Sequence, residues 1–362
     1  MMHRRDARFR YLSSFDPQTG QGVRSHIYDA FGYDTGIDPE RASYPELLDV
    51  GIMGSCVHGL SGLCAASGVQ CYQNGATEHQ AHLSFEHFKS IVDQSAGRTF
   101  QMALGGRGDP NDHPDFERII AYAANHGIIP NFTTSGLGLR DDQLPAIKRY
   151  CGAVAVSWYR STITTQTIDR LTQAGIKTNI HYVLSNTTLQ EAFTLMERVL
   201  KDDRINRLIF LLHKPVGQGQ RENVLSLNDP EVVRFFSQFD DPKYMAKAGF
   251  DSCSVPGLLN TTAHIDPACM EACEAGRFSA YITPDYRLVP CSFEKNPKYA
   301  VDLSTTTIAQ AFDSAPFEAF RTKLDGHCAG CVSQANCRSG CPIASEITLC
   351  HRPNRSVQGA LV

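Results

Sequence analysis

Residues 47–215 alternate between short apolar runs and segments with helical spacing, and this alternation limits the folds open to the chain. The apolar runs predict six strands, at 47–53, 99–106, 128–136, 153–159, 176–185 and 207–215. The segments between them predict helices, at 84–95, 113–127, 139–150, 164–175 and 189–202. One helix between successive strands is typical of a parallel sheet with helices outside it. Because the units keep one repeat length, we expect an α/β fold with a partial (β/α)6 barrel.

The pattern changes near residue 250, where strand and helix signals become short and Cys, Pro and Gly interrupt the chain. The clear hairpin signal after that point is 278–291, with two β-rich stretches around Pro284 and Asp285. A region with so few periodic apolar faces cannot build a large hydrophobic core, so it needs cross-links such as bound metal clusters to stabilise it. We therefore predict three regions: an N-terminal extension at 1–46, the barrel at 47–250, and a small Cys-rich, cluster-stapled domain at 251–362.

The cysteine content indicates a metalloprotein. The chain of 362 residues has 13 cysteines, nine of them after residue 250, and a formal net charge of −4. A chain with this net charge has no excess of basic residues to attract nucleic acid or anionic lipid. No apolar run approaches the roughly 18 residues of a membrane span, and the N-terminus lacks the apolar core of a signal peptide. We therefore expect a cytoplasmic protein, in which crowded cysteines favour metal binding over disulfides.

Three cysteines, Cys56, Cys64 and Cys71, follow the first predicted strand with the spacing C-x7-C-x6-C. A [4Fe–4S] cluster with three thiolate ligands leaves one iron open for a substrate or cofactor. The loop follows a barrel strand, at the edge where active sites of such folds form. Two alternatives stay open: inert burial of the thiols, or a zinc site with His58 as the fourth ligand.

The cysteine loop resembles that of radical SAM (S-adenosylmethionine) enzymes. Their usual motif is C-x3-C-x2-C, with an aromatic residue beside the last cysteine. Here Tyr72 follows Cys71, and the spacing between the cysteines is longer. The resemblance implies that the three thiolates hold a [4Fe–4S] cluster that binds SAM.

A second segment carries the same resemblance. LGGRGDPNDHP, at 104–114, is similar to the family's GGEP segment, with Gly105 and Gly106 intact and Arg107 at the Glu position. In the family this segment holds the methionine end of SAM with its backbone, and glycine permits a close approach. The resemblance therefore implies that Gly105 and Gly106 bind SAM, and that Ser157 contacts the ribose or carboxylate of SAM.

The C-terminal cysteines resemble the seven-cysteine pattern of the SPASM domain, an extension of radical SAM enzymes that holds two auxiliary [4Fe–4S] clusters. The run C-x2-C-x5-C-x3-C that starts at Cys328 matches in full, whereas Tyr286 stands where the pattern has Gly. The resemblance implies two ligand sets: Cys269, Cys273, Cys291 and Cys341 for the first auxiliary cluster, and Cys328, Cys331, Cys337 and Cys350 for the second. A pair of structural zinc sites is the alternative that the spacing also permits.

Two cysteines stay outside these three clusters. Cys151 precedes a predicted buried strand, so we expect it to be a small core residue. Cys253, in the sequence GFDSCSVPG, is open to three interpretations: a residue with no chemical role, a thiol beside the substrate, or a stand-in cluster ligand.

The resemblance implies reductive cleavage of SAM to a 5′-deoxyadenosyl radical, which abstracts hydrogen from a ribosomally made precursor peptide. An external one-electron donor is also implied. The first cysteine loop and the opening YLSSFDPQTG look like maturases of nif11-type ribosomal peptides. Some of those enzymes are spliceases, which excise tyramine at a Tyr-Gly site and leave an α-keto-β-amino acid. The alternatives are thioether or carbon–carbon crosslinking, formylglycine formation of the sulfatase-maturase type, a zinc-stabilised scaffold, and a ferredoxin-like electron carrier.

Peptide maturases often carry a leader-binding domain, and residues 1–46 are too short to hold one. We therefore expect leader recognition by a separate small protein, or by the barrel and tail themselves. No catalytic acid or base is assigned from the sequence. The candidates near predicted strand ends or in the cysteine loop are His58, Asp109, Asp112, His113, Tyr159, Arg160, His181, His213 and Lys214.

Overall fold

The structure is a computed structural model that describes residues 1–59, 61–324, 328, 331 and 333–351. Residues 352–362 of the predicted C-terminal domain lie outside the described part of the chain. Among the described residues, every helix is too short or too polar to span a membrane.

The parallel sheet predicted for the barrel is present. Its seven parallel strands are β4 (Leu47–Met53), β5 (Gln101–Gly106), β6 (Ile129–Thr134), β7 (Val154–Ser157), β8 (Thr178–Leu184), β9 (Ile205–Leu212) and β10 (Ala248–Phe250). Each pairs with its neighbour in chain order, from β4 to β10. All six predicted strands are observed, and β10 is an additional strand before residue 250. This confirms the α/β fold class.

Three C-terminal strands extend this sheet at its other edge. They are β11 (Ser279–Ile282), β12 (Arg287–Val289) and β13 (Val301–Asp302). β11 pairs with β4 in parallel, and β12 and β13 follow it antiparallel. The predicted hairpin is therefore confirmed, and it is continuous with the barrel sheet.

Helices cover the outer face of the sheet. The helices of the chain are α1 (Leu63–Ala66), α2 (Phe85–Ser95), α3 (Phe116–Asn125), α4 (Leu144–Tyr150), α5 (Thr162–Gln173), α6 (Leu189–Leu200), α7 (Pro230–Ser237), α8 (Pro242–Met245), α9 (Val255–Thr261), α10 (Ile308–Phe312), α11 (Ala315–Arg321) and α12 (Gln334–Cys337). Ser84 caps α2 by accepting a hydrogen bond from the amide of His87. Phe88 and Ile91 of α2 are fully buried in the core, as its apolar spacing requires.

Strand alternation decides which side chains face the inside of the barrel. In β8, Thr178, Ile180 and Tyr182 are buried, whereas Asn179 and His181 between them are partly accessible. Successive side chains of a strand point to opposite faces of the sheet. The apolar set therefore packs against the helices, and the polar set lines the concave interior.

The N-terminal extension forms a sheet of its own, made of β1 (Met2–Asp6), β2 (Tyr11–Phe15) and β3 (Gly22–Arg24). Neighbouring strands of this sheet pair antiparallel. Phe15 stacks on Phe100, which precedes β5, with ring centroids 5.7 Å apart. The extension therefore packs beside the amino-terminal ends of the barrel strands.

Arg24 ties three parts of the chain together. Its guanidinium lies 2.7 Å from the carboxylate of Glu46, 3.0 Å from that of Glu271 and 2.6 Å from that of Glu274. Glu46 precedes β4, and the other two precede β11. Because Arg24 is largely buried, a planar guanidinium with several donors suits this site better than a lysine would.

Candidate active site

Cys56, Cys64 and Cys71 lie in the loop that follows β4, and their thiols converge. A β-carbon built on Gly75 would lie 3.6 Å from the Sγ of both Cys56 and Cys71. The thiol of Cys64 interacts electrostatically with both of the others. The spacing C-x7-C-x6-C therefore brings three thiols together at the carboxyl edge of the sheet, as the sequence predicts.

Backbone amides point at two of these sulfurs. The amide of Gly59 lies 3.2 Å from the Sγ of Cys56, and that of Gly75 lies 3.4 Å from the Sγ of Cys71. Burial raises the pKa of Cys56, and its amide partners offset part of that effect. Amides in these positions stabilise a thiolate, which is the form that binds iron.

The glycines of the segment after β5 have different roles. Gly106 has φ +111°, and a β-carbon there would lie 2.3 Å from the carbonyl oxygen of Met53. A side chain at Gly106 would thus clash with β4. A β-carbon on Gly105 meets nothing within 4 Å. Gly105 therefore borders open space at the same edge as the three thiols, whereas Gly106 permits close strand packing.

Arg107, at the position where the related segment has Glu, holds the far end of the cysteine loop. Its Nε donates to the carbonyl oxygen of Gln73 at 3.0 Å, and its guanidinium pairs with Glu78. Arg107 therefore acts as a brace between the segment after β5 and the residues that follow Cys71.

Asp109 connects that segment to the end of β6. Its Oδ2 accepts hydrogen bonds from the hydroxyl of Thr134 at 2.9 Å, and from the amide and hydroxyl of Ser135 at 2.6 and 2.7 Å. Asp109 is 9% exposed. Because its hydrogen-bond donors come from the end of β6, Asp109 fixes the loops of β5 and β6 relative to each other.

His58, inside the cysteine loop, faces carboxylates. Its Nε2 lies 2.8 Å from Asp112 and 3.5 Å from Asp109, at angles unsuited to a well-directed hydrogen bond. Burial lowers the pKa of His58, but the two carboxylates outweigh it and raise the pKa to about 9. The Nε2 atom of His58 thus faces carboxylates, and this orientation does not favour the zinc alternative.

The end of β7 closes the other side of the loop. The thiol of Cys64 donates to the phenol oxygen of Tyr159 at 3.5 Å, and the hydroxyl of Ser67 donates to the carbonyl oxygen of Tyr159 at 2.6 Å. Ser157, the last residue of β7, is half-buried and interacts with the same phenol. The structure therefore places Ser157 near the three thiols, while its contact with SAM stays a prediction.

A cavity of about 740 Å³ extends between the inner face of the sheet and the C-terminal region. Its wall includes Asp49 of β4, Lys214, Asp251 and Phe293. Lys214 Nζ donates to Asp251 Oδ2 at 2.7 Å and lies 4.5 Å from the ring centroid of Phe293. Burial, with help from Glu274, raises the pKa of Asp49 to about 7. The volume lies within the usual range of ligand pockets, roughly 300–1,000 Å³.

Sequence reasoning missed Asp49 and Asp251 as cavity residues. Asp49 stands inside the apolar run LLDVGIM, and a charged residue in a buried strand was the signal that could have found it. Asp251 follows β10, which had no separate strand signal. Asp49 is a strand residue whose side chain turns toward the interior, and Asp251 lines the same cavity directly after the end of β10.

The C-terminal cysteines form two groups. Cys337 interacts electrostatically with Cys328, Cys331 and Cys350, so the four predicted ligands of the second auxiliary cluster come together. In the first set, Cys291 interacts with Cys273, and Cys273 with Cys341. Cys269 is exposed. The structure thus groups all predicted ligands except Cys269.

Tyr286 occupies the turn position where the SPASM pattern has Gly. It has φ +62°, the left-handed conformation that glycine adopts most easily. Its ring stacks on His87 with centroids 4.2 Å apart, and its hydroxyl lies 3.0 Å from the Oγ of Ser90. Contacts with α2 therefore offset the strain, and the hairpin still delivers Cys291 to its group.

The thiol groups have the donor chemistry of iron–sulfur cluster sites. Among the described residues, no three Cys, His, Asp or Glu side chains are close enough to hold one metal ion. A [4Fe–4S] cluster binds each thiolate through a different iron, so its ligands stand farther apart. The chemistry of the donor sets, three thiols in the loop and larger sets at the C-terminus, therefore fits such clusters. These features together resemble those of radical SAM enzymes with a SPASM-type extension.

Comparisons with known proteins agree with this class. No protein-family model matches the chain. Mycofactocin maturase MftC of Mycobacterium ulcerans is 22% identical over 309 residues, which cover 79% of this chain and 82% of the relative. This relative and the shared fold agree with the resemblance to radical SAM enzymes that the motifs indicate.

Solved structures share the fold. Streptococcus suis SuiB bound to S-adenosylmethionine superposes with a TM-score of 0.64 at 13% identity, covering 87% of this chain and 78% of SuiB. The enzyme anSMEcpe with bound AdoMet gives a TM-score of 0.62 at 14% identity, covering 82% of this chain and 89% of that chain. At these identities the likeness concerns the fold.

Proposed function

We propose that the chain is a peptide maturase that cleaves SAM reductively and abstracts hydrogen from a ribosomally made precursor peptide. This proposal rests on one observation. The thiols of Cys56, Cys64 and Cys71 converge at the carboxyl edge of the sheet, beside the open space at Gly105. Three thiolates leave one iron of a [4Fe–4S] cluster free to bind SAM. The chain would act in the cytoplasm.

Three [4Fe–4S] clusters are the proposed resident cofactors. The loop thiols would hold the SAM-binding cluster, and the two C-terminal thiol groups would hold two auxiliary clusters. When bound, the first cluster supplies the electron that breaks SAM into methionine and a 5′-deoxyadenosyl radical, and the auxiliary clusters accept or relay an electron. An external one-electron donor would reduce the chain.

The residues of the chain would position SAM and keep water away. Gly105 and Gly106 would present backbone to the methionine end of SAM, and Ser157 would contact its ribose or carboxylate. The hydrogen bonds from Ser135 to Asp109 hold the loops around that space in place. The part of the cavity walled by Asp49 and Lys214 would receive the substrate peptide, beside the first auxiliary cluster.

Comparison with relatives supports a peptide substrate. SuiB has been solved bound to its precursor peptide SuiA, with a TM-score of 0.63 to this chain. MftC is named as the maturase of mycofactocin. The similarity of the first cysteine loop to nif11-type maturases supports a finer proposal: excision of tyramine at a Tyr-Gly site, leaving an α-keto-β-amino acid. A separate small protein would recognise the leader of the precursor.

The test uses the anaerobically reconstituted chain, SAM, dithionite and a synthetic nif11-type precursor that contains one Tyr-Gly pair. A matched precursor with Ala in place of that Tyr serves as the control. We expect a SAM-dependent mass loss of C8H9NO, the tyramine unit of the Tyr residue (tyramine less two hydrogens), from the first peptide only. Loss of two hydrogens would overturn splicing in favour of crosslinking. Full activity of the lone chain on a leader-bearing peptide would contradict the separate recognition protein.

A further inference from the structure

Cys253 lies where the barrel meets the C-terminal region. It sits in a turn of 3₁₀ helix, Ser252–Ser254, between β10 and α9. Asp251 fixes this turn, because its Oδ1 accepts from the hydroxyl of Ser254 at 2.8 Å and its Oδ2 accepts from the amide of Leu212 at 3.1 Å. The backbone that carries Cys253 is therefore anchored to β9.

The thiol of Cys253 joins the first C-terminal thiol group. The side chains of Cys253 and Cys341 lie close enough for each to shift the pKa of the other, upward for Cys253 and downward for Cys341. Cys273 and Cys291 each interact electrostatically with Cys253. Cys273 and Cys291 also border the same cavity as Cys253. Four thiols from four separate segments of the chain thus meet in one place.

The surroundings of this group suit a negatively charged cluster. Lys214, with 4% of its side chain exposed, lies close enough to Cys253 and Cys341 for all three charges to interact. Its ion pair with Asp251 anchors the ammonium beside the turn that carries Cys253. A buried cation stabilises nearby thiolates, so Lys214 offsets part of the effect of burial, which raises the pKa of Cys253 and Cys291.

Cys269 does not share these surroundings. It ends the short turn Pro267–Cys269 and lines the same cavity, but it is exposed. Cys273, four residues later in the chain, is instead partly buried and packs against Ala275, Tyr299 and Phe320. The C-x3-C spacing that pairs Cys269 with Cys273 therefore does not bring Cys269 into the group.

We propose that Cys253, and not Cys269, is the fourth ligand of the first auxiliary cluster, together with Cys273, Cys291 and Cys341. This inference rests on the proposed function, because it assumes that the C-terminal thiols hold [4Fe–4S] clusters. One ligand of that cluster would come from the turn after β10, at the end of the barrel. The auxiliary cluster would then be anchored directly to β9 and β10.

The first experiment compares iron and sulfide per chain, and the low-temperature EPR spectrum of the reduced protein, after anaerobic reconstitution. The variants are Cys253→Ala, Cys269→Ala and Cys151→Ala, the last a half-buried cysteine outside the thiol groups. We expect roughly twelve iron atoms in the wild type. We expect Cys253→Ala to lose about a third of that iron, or to show a [3Fe–4S] signal. Cys269→Ala and Cys151→Ala should match the wild type.

The reverse pattern, with iron lost from Cys269→Ala and an unchanged Cys253→Ala, would overturn the inference. A second experiment avoids variants: native wild-type holoprotein is alkylated with iodoacetamide and mapped by mass spectrometry. We expect Cys269 to be labelled and Cys253 to be protected. Labelled Cys253 with protected Cys269 would overturn the assignment. If the wild type binds iron but does not cleave SAM, the proposed function fails on its own account, independently of these ligand comparisons.

Discussion

The Sγ of Cys64 lies 3.5 Å from the phenol oxygen of Tyr159. This contact joins the cysteine loop after β4 to the end of β7, three strands away in the sheet. Ser67, one turn after Cys64, donates to the carbonyl oxygen of the same tyrosine at 2.6 Å. The loop thus contacts both the side chain and the backbone of Tyr159, which positions one thiol relative to Ser157.

Tyr159→Phe tests whether that phenol tunes the proposed SAM-binding cluster. A hydrogen bond donated to a cluster thiolate favours the more negative, reduced state. Loss of this hydrogen bond should shift the midpoint potential of the cluster to more negative values. It should also slow 5′-deoxyadenosine formation several-fold, with unchanged iron content. An EPR-monitored redox titration measures the shift. Tyr122→Phe, which removes a phenol bonded to exposed Asp93, is the control, and equal potentials in both variants would refute the prediction.

Asp109→Asn tests the junction between the loops of β5 and β6. An amide cannot replace a carboxylate oxygen that accepts three hydrogen bonds without leaving a donor unpaired. We expect destabilisation of about 1–3 kcal/mol and weaker SAM cleavage. Denaturant unfolding and an assay of 5′-deoxyadenosine measure the two effects. Asp203→Asn, on the exposed surface, should change neither, and equal stability of the two variants would count against the account.

Gly105→Ala and Gly106→Ala form a matched pair. At Gly106 the added β-carbon meets the carbonyl oxygen of Met53 at 2.3 Å with a positive φ, so we expect a loss of more than about 1 kcal/mol of stability. At Gly105 it meets nothing within 4 Å, so stability should change by less than about 0.5 kcal/mol. Gly105→Ala should instead raise the KM for SAM several-fold. An unaltered KM would show that SAM does not approach Gly105.

His181 gives the fold a pH dependence. Burial lowers its pKa to about 4, although Asp251 acts to raise it. Since the unfolded pKa is about 6.5, the unfolded chain binds more protons between those values, and stability falls as the pH falls through that window. Between pH 7 and pH 5.5 the free energy of unfolding of the wild type should fall by about 1 kcal/mol more than that of His181→Gln. Exposed His79→Gln is the control; if it shows the same pH response as His181→Gln, the assignment fails.

The strands and the cysteine loop could be predicted because their signals are local. Apolar runs at 47–53 and 176–185, and the spacing from Cys56 to Cys71, need only neighbouring residues to be interpreted. These predictions place the three thiols and Gly105 at one edge of the sheet. The structure confirms that arrangement, and the occupancy of the site by SAM stays a prediction.

Other features depend on contacts between distant segments, which spacing cannot encode. The pairing of β11 with β4 joins residues more than two hundred positions apart. The meeting of Cys253 with Cys341 likewise requires the turn after β10 to face the C-terminal loop. The exposed side chain of Cys269 shows that C-x3-C spacing is weak support for a shared site when the intervening turn is open. Asp49 turns inward because of strand alternation around a barrel.

The most direct test of the central claim replaces Cys56, Cys64 and Cys71 together by Ala. Wild type and variant are reconstituted anaerobically, and iron and 5′-deoxyadenosine are measured in the same tube with SAM and dithionite. The account predicts roughly twelve iron atoms and steady 5′-deoxyadenosine formation in the wild type, against roughly eight iron atoms and none in the variant. Continued SAM cleavage by the variant, or about eight iron atoms without cleavage in the wild type, would contradict it.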